Sequence, residues 1–210
     1  MQNVTDRIRN PFGISPGCSR YVQSYGDVNA SFHVIGDHPG IHGGFDKQIP
    51  FTAKDCRPLL DALKTAELVE STTDGDLHLQ KTFFSYLHRC EPTERPPSAA
   101  AYMDQSRLFD AELRAIAPHM LLPVGERATR YVLTNYSARA NKLESGMTTL
   151  HAREIPGSGF LILPIKSPSE WGTKEKSQLV TAIKKIRSED FRREADLGRF
   201  IAGNEPYLVR

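Results

Sequence analysis

Cysteine, charge of one sign and long apolar runs are all in short supply in this chain of 210 residues. Its cysteines are three, Cys18, Cys56 and Cys90, odd in number and far apart. That reads as a reduced, intracellular pattern and excludes a disulfide framework. Lys and Arg number 27 against 25 Asp and Glu, a net charge of +2. Such balance excludes a histone-like or polybasic binder that holds nucleic acid by bulk charge. It also argues against the strongly acidic surface of a protein from a salt-loaded cytoplasm. No apolar run approaches the roughly 18 residues of a membrane span. The segment Met1 to Arg7 has no apolar stretch of the signal-peptide kind, so a cytoplasmic protein is expected.

What is present suffices for a folded domain. Hydrophobic residues at 39% and charged residues at 25% allow a sizeable core without covalent staples. Residues 1–29 are rich in Gly, Pro, Asn and Ser without a period, and read as an irregular N-terminal arm packed on the domain. Residues 30–210 read as a single α/β domain with C-terminal helices. Four runs, 30–36, 82–87, 119–125 and 159–165, are nearly continuous in apolar residues rather than alternating. That pattern belongs to strands covered on both faces of a parallel sheet.

Helical stripes lie between the runs. Cys56, Leu59, Leu60, Leu63 and Ala66 form one, with Thr52 as N-cap and Pro58 in the first turn. Tyr102, Phe109, Leu113 and Ile116 form another, stopped by Pro118. A short helix is expected from Glu126 to Leu133, and Leu179, Val180, Ile183 and Ile186 mark a last one from about Lys174 to Arg187. The alternation predicts an α/β fold, a three-layer α/β/α sandwich around a central, mostly parallel four-stranded sheet. Pro92 to Ser98 reads as a stiff surface loop.

Four segments carry residues suited to chemistry. Gly36-Asp37-His38-Pro39-Gly40-Ile41-His42-Gly43-Gly44 follows the first strand, where open α/β sheets place their ligands. Its glycines allow close backbone approach, and Asp37 is placed to orient a water or to stabilise a developing cation. A plain turn, with Asp and His bonded to backbone, is the alternative. His33, His38 and His42 lie close in sequence, but His33 sits mid-strand and the spacing lacks helical ligand geometry, so no metal is assigned. Phe51 of Pro50-Phe51 is either a stacking face for a planar ligand or a core residue that staples the next helix. Tyr86-Leu87-His88-Arg89-Cys90-Glu91-Pro92 ends the second strand, where Cys90 lacks a paired base for a nucleophilic role. Lys166-Ser167-Pro168-Ser169 opens a loop whose hydroxyls suit phosphate contacts, with Trp171 and lysines following.

Taken in order and at their spacings, these segments resemble the uracil-DNA glycosylase superfamily over roughly residues 18–170, in particular its thermostable family 4 branch and related archaeal-type proteins. Gly36-Asp37-His38-Pro39-Gly40 stands where that branch has Gly-Glu-Ala-Pro-Gly, and Pro50-Phe51 where it has Pro-Phe. Arg89-Cys90-Glu91-Pro92 with Arg95-Pro96-Pro97 resembles Lys-Cys-Arg-Pro-Pro. Val124-Gly125-Glu126-Arg127-Ala128 fits Leu-Gly-x-x-Ala, and Ser167-Pro168-Ser169 takes the place of His-Pro-Ser.

The resemblance implies cleavage of the N-glycosidic bond to uracil in DNA after the nucleotide is extruded from the helix. It makes Asp37 and His38 the catalytic candidates. Gly36, Pro39, Gly40, Phe51, Ser85 and Tyr86 become the base-binding set. His42, Lys166, Ser167, Pro168 and Ser169 fall to the leaving base and the DNA. The departures are specific. Asp37 is one methylene shorter than the branch's Glu, Tyr86 stands at the base-reading Asn, and Ser167 replaces the His that stabilises the leaving base. His38, His42 or His88 would have to compensate. The branch's iron–sulfur cluster needs four cysteines, and only Cys18 and Cys90 fall near ligand positions, so no cofactor is expected.

The leading expectation is a monomeric, monofunctional DNA repair glycosylase acting on uracil or another deaminated base, with DNA as partner and no membrane. A catalytically inactive DNA- or nucleotide-binding protein of the same fold is the alternative. A nucleoside hydrolase or phosphohydrolase is a third. Lys166, Lys174, Lys176, Lys184, Lys185, Arg192 and Arg193 concentrate basic charge toward the C-terminus, and the apolar tail from Asp196 to Arg210 is expected to dock on the domain.

Overall fold

The computed structural model describes residues 3–71, 76–94 and 96–188. Arg95, Arg192, Arg193 and the tail from Asp196 to Arg210 lie outside the described residues.

The four apolar runs form the parallel centre of one sheet. They are β2 (Phe32–Gly36), β5 (Thr82–Tyr86), β6 (Met120–Pro123) and β8 (Leu161–Ile162). Two short antiparallel strands extend it to six, β1 (Tyr25–Gly26) and β7 (Ile155–Pro156), in the order β1-β5-β2-β6-β8-β7. Both additions are two residues long, too short to show a period, and β1 lies in the stretch read as an irregular arm. A separate hairpin pairs β3 (Val69–Ser71) with β4 (Leu77–Leu79).

The expected three layers are present. Side chains alternate across the sheet, so neighbours on one strand enter different cores. Val34, Phe84 and Leu122 face a core shared with α2 (Arg57–Thr65) and α6 (Glu175–Ser188). Ile35, Leu121 and Ile162 face the opposite core, under α3 (Ala99–Ile116) and α4 (Gly125–Tyr136). Two short helices, α1 (Pro39–His42) and α5 (Gly146–Leu150), are also present among the described residues. Ser98 caps α3 by accepting from the Ala101 amide at 3.3 Å, and the helix ends at Ala117, just before Pro118. Thr52 is not the cap of α2. Its hydroxyl donates to the Ile49 carbonyl at 3.1 Å, and a turn of 3₁₀ helix, Lys54–Cys56, intervenes before Arg57.

Parallel pairing puts four strand ends at one edge. Gly36 lies opposite Tyr86, Ile35 opposite Pro123, and Val124 bridges Ile165. The loops after these residues therefore converge on one crevice, the usual place for a ligand in an open α/β sheet.

The cysteine expectation is overturned. Cys18 and Cys90 form a disulfide, with Cα atoms 6.1 Å apart and a sequence separation of 72. Strand pairing explains it. Tyr21 bridges Cys90 antiparallel, the Val22 amide donates to the Arg89 carbonyl at 3.0 Å, and the Glu91 amide donates to Arg20 at 2.9 Å. The arm thus runs beside the end of β5 and sets the two thiols side by side. Cys56 stays free and buried. Below the disulfide, the buried Arg89 guanidinium pairs with Glu112 of α3, which also accepts from Ser24 of the arm at 2.5 Å. No helix among the described residues is long and apolar enough to cross a membrane.

Candidate active site

Asp37 is the first residue after β2 and is only 8% exposed. Its carboxylate is held from two helices. Tyr102 of α3 donates to Oδ1, and the Arg127 Nε of α4 lies 3.6 Å from Oδ2. The Arg127 guanidinium also stacks over the Tyr102 ring, 4.7 Å from its centroid. The His88 ring meets the same tyrosine edge-on at 5.6 Å, and the His88 amide donates to the Asp37 carbonyl at 3.0 Å. Burial pushes the Asp37 carboxyl above its ordinary value, while the Tyr102 hydrogen bond and then the Arg127 and His88 charges pull the other way. This is a carboxylate fixed in place and kept from bulk water.

The two histidines of the loop have different settings. His38 caps α1, its Nδ1 accepting from the Gly40 amide at 3.1 Å. Gly40 is tightly hemmed, since a Cβ there would sit 2.8 Å from Pro92 and 2.9 Å from His38. His42 is buried, and burial lowers its pKa to about 3, so the ring is neutral at working pH. Its Nδ1 lies 3.6 Å from the Cys56 sulfur, and its Nε2 has no hydrogen-bond partner. His33 lies apart from both, mid-strand, bonded through Nε2 to the Ser85 hydroxyl at 2.7 Å.

Of the residues read as base-binding, Gly36, Phe51 and Tyr86 come together. A Cβ on Gly36 would meet the Tyr86 ring at 2.7 Å and the Phe51 ring at 2.9 Å. Tyr86 Oη accepts from the Phe51 amide at 2.7 Å and donates to the Gly43 carbonyl at 3.0 Å. Phe51 has φ of 64°, a left-handed backbone that costs energy in a non-glycine residue and that the Tyr86 hydrogen bond helps to hold. Its ring is fully enclosed by His42, Phe84 and Tyr86. Ser85 is not part of this group, because strand alternation turns it to the other face, toward His33.

The last loop sits opposite. The 3₁₀ turn Pro168–Glu170 packs on the turn Lys54–Cys56 that follows Phe51. The Ser167 and Ser169 hydroxyls are 3.0 Å apart at the surface, and Pro168 is buried beneath them. Lys166 is tied inward, Nζ donating to the Glu170 carbonyl at 2.9 Å and lying 3.8 Å from Glu175. His151 pins the loop: its Nδ1 accepts from the Lys166 amide at 3.0 Å and its Nε2 bonds the Glu175 carbonyl at 2.9 Å. Trp171 closes it by donating to the Lys166 carbonyl at 2.8 Å.

Three residues of this region were not singled out from sequence. In the sequence Tyr102 is one member of an apolar stripe, Arg127 is part of a glycine motif, and His151 belongs to no motif. The available signals were a tyrosine in the first turn after a Pro-rich loop and an arginine in the first turn after a strand-end glycine.

Four thiolates for an iron–sulfur cluster are not at hand. Cys18 and Cys90 are bonded to each other, and Cys56 lies against His42. The donor set does not fit such a group. No three His, Cys, Asp or Glu side chains converge as metal ligands among the described residues.

A Type-5 uracil-DNA glycosylase of Pyrobaculum aerophilum is 27% identical over 132 residues, which are 60% of this chain and 58% of that protein. The chain thus spans a little over half the length of this curated relative. Residues 23–189 match the family described as the Uracil DNA glycosylase superfamily. That stretch runs from the edge of β1 through every strand end of the crevice to the end of α6, and the chain belongs to the uracil DNA glycosylase superfamily.

Proposed function

We propose that this protein is a monofunctional DNA glycosylase of base-excision repair that hydrolyses the N-glycosidic bond of uracil, or of another deaminated base, in an extruded nucleotide. The observation that carries the reading is Asp37, a nearly buried carboxylate just after β2, bonded by Tyr102 on one oxygen and facing the Arg127 charge with the other. In the reaction the bond breaks with its electron pair passing to the base, and the sugar becomes a cation. A fixed negative charge beside that sugar lowers the barrier because the cation exists only near the transition state. A water then adds to the anomeric carbon, and Asp37 takes its proton.

The rest of the crevice supports the other half of the chemistry. His38 shapes the loop that holds Asp37, and neutral His42, whose buried Nε2 has no partner, would turn that nitrogen to the departing base once the wall around it opens. Gly36, Pro39, Gly40, Phe51 and Tyr86 would form the wall against which the base lies, while Ser167, Pro168 and Ser169, backed by Lys166, would meet the DNA phosphates. The protein would act as a monomer in the cytoplasm, on DNA and not on a membrane.

One observation favours the second reading, an inactive DNA- or nucleotide-binding protein. Phe51 is 0% and Tyr86 1% exposed, so a base stacks on Phe51 only after the side chains that enclose it have moved. An excision assay separates the two. Labelled oligonucleotides carry a single uracil, single-stranded or opposite G or A, with hypoxanthine and xanthine substrates beside them, followed by alkaline strand cleavage. Cleavage that depends on Asp37 supports the enzyme. DNA binding with no cleavage of any substrate supports the binder.

A further inference from the structure

We infer that Tyr102 and Arg127 are positioning residues that hold the Asp37 carboxylate ionised and in one orientation. The inference rests on the glycosylase reading above. Two side chains from outside its own loop reach the Asp37 carboxylate. Both groups that do so arrive from separate helices, Tyr102 from the first turn of α3 and Arg127 from the first turn of α4.

The two are coupled to each other as well as to Asp37. Arg127 lies over the face of the Tyr102 ring, and His88, from the loop after β5, lies at its edge. With a hydroxyl bonded to one oxygen and a guanidinium charge 3.6 Å from the other, the carboxylate is restrained in rotation. It therefore meets the developing sugar charge without a reorganisation cost. The tyrosine is a permanent donor, because burial and the Asp37 charge raise its pKa far beyond neutral pH. The groups facing Asp37 are thus Tyr102 from α3, Arg127 from α4 and His88 from the loop after β5.

The signs are fixed by this arrangement. Tyr102 and Arg127 favour the ionised carboxylate, so removing either raises the Asp37 pKa. The test measures that titration directly, by carbon-13 carboxyl NMR of the full chain, with the Asp37 signal assigned by its loss in Asp37→Asn. In Tyr102→Phe and in Arg127→Gln the Asp37 midpoint moves to higher pH. In Arg127→Lys, which keeps the charge, it stays near wild type. Uracil excision by Tyr102→Phe falls by about tenfold to a hundredfold in kcat, and the acid limb of its pH profile moves up with the NMR midpoint. Thermal melts confirm that each variant is folded.

An Asp37 titration unchanged in both Tyr102→Phe and Arg127→Gln overturns the inference. A shifted titration in a protein that excises no base overturns the glycosylase reading and still supports the hold on Asp37.

Discussion

Tyr86 holds Phe51. The phenol oxygen at the end of β5 takes the amide hydrogen of a residue in left-handed conformation, 2.7 Å away and 35 positions earlier in the chain. The same hydroxyl donates to Gly43. One side chain therefore ties down two points of the connection between β2 and α2. Tyr86→Phe keeps the ring and removes the oxygen, leaving a buried amide and a buried carbonyl unpaired. The expected cost is about 1–3 kcal/mol, read as a lower urea midpoint with an unchanged slope. An unchanged midpoint would mean that packing alone holds Phe51.

Arg89 and Glu112 form a buried ion pair, with side chains 2% and 0% exposed. Glu112→Ala strands a guanidinium in the core. The loss should reach about 3–5 kcal/mol, seen as a large drop in Tm. Replacing both residues with apolar ones of similar volume, Arg89→Met with Glu112→Leu, should recover most of it.

The Cys18–Cys90 disulfide closes a loop with a sequence separation of 72, and the chain-entropy account gives it roughly 4 kcal/mol. Cys18→Ser should lower the denaturation midpoint by a corresponding amount. A dithiol reductant should do the same to wild type and nothing further to the variant. Equal midpoints for oxidised and reduced wild type would remove the disulfide from the stability of the arm.

His151 gives the fold a pH dependence. Burial lowers its pKa below 6.5, and its Nδ1 accepts from Lys166 only while unprotonated. The fold favours the neutral ring, so this stabilisation is complete above pH 6.5 and is lost as the pH falls through the lowered value. Trp171 is the sole tryptophan and its ring centroid is 5.5 Å from that of His151. Its fluorescence should change reversibly below pH 6.5, and His151→Gln should flatten the profile.

Much of the fold was legible because it rests on short-range pattern. Continuous apolar runs located β2, β5, β6 and β8 as the parallel centre, and stripes located α2, α3, α4 and α6 to within a few residues. The order of the strand-end motifs was enough to point to the superfamily. What escaped depends on distance in the chain. The partners of Asp37 are 65 residues away at Tyr102 and further still at Arg127, with nothing local to mark them. The disulfide needs the arm to pair with β5, which no periodicity announces. Ser85 is next to Tyr86 in sequence but not in space, because a strand sends successive side chains to opposite faces, and it meets His33 instead.

The central claim is that Asp37 carries the chemistry. Single-turnover excision of uracil from a labelled oligonucleotide, wild type against Asp37→Asn, tests it most directly. Asparagine keeps the shape and still accepts from Tyr102, but it carries no charge. The account predicts measurable excision by wild type and a loss of at least about a hundredfold in the variant, with DNA affinity retained. Equal excision by the two proteins would contradict it.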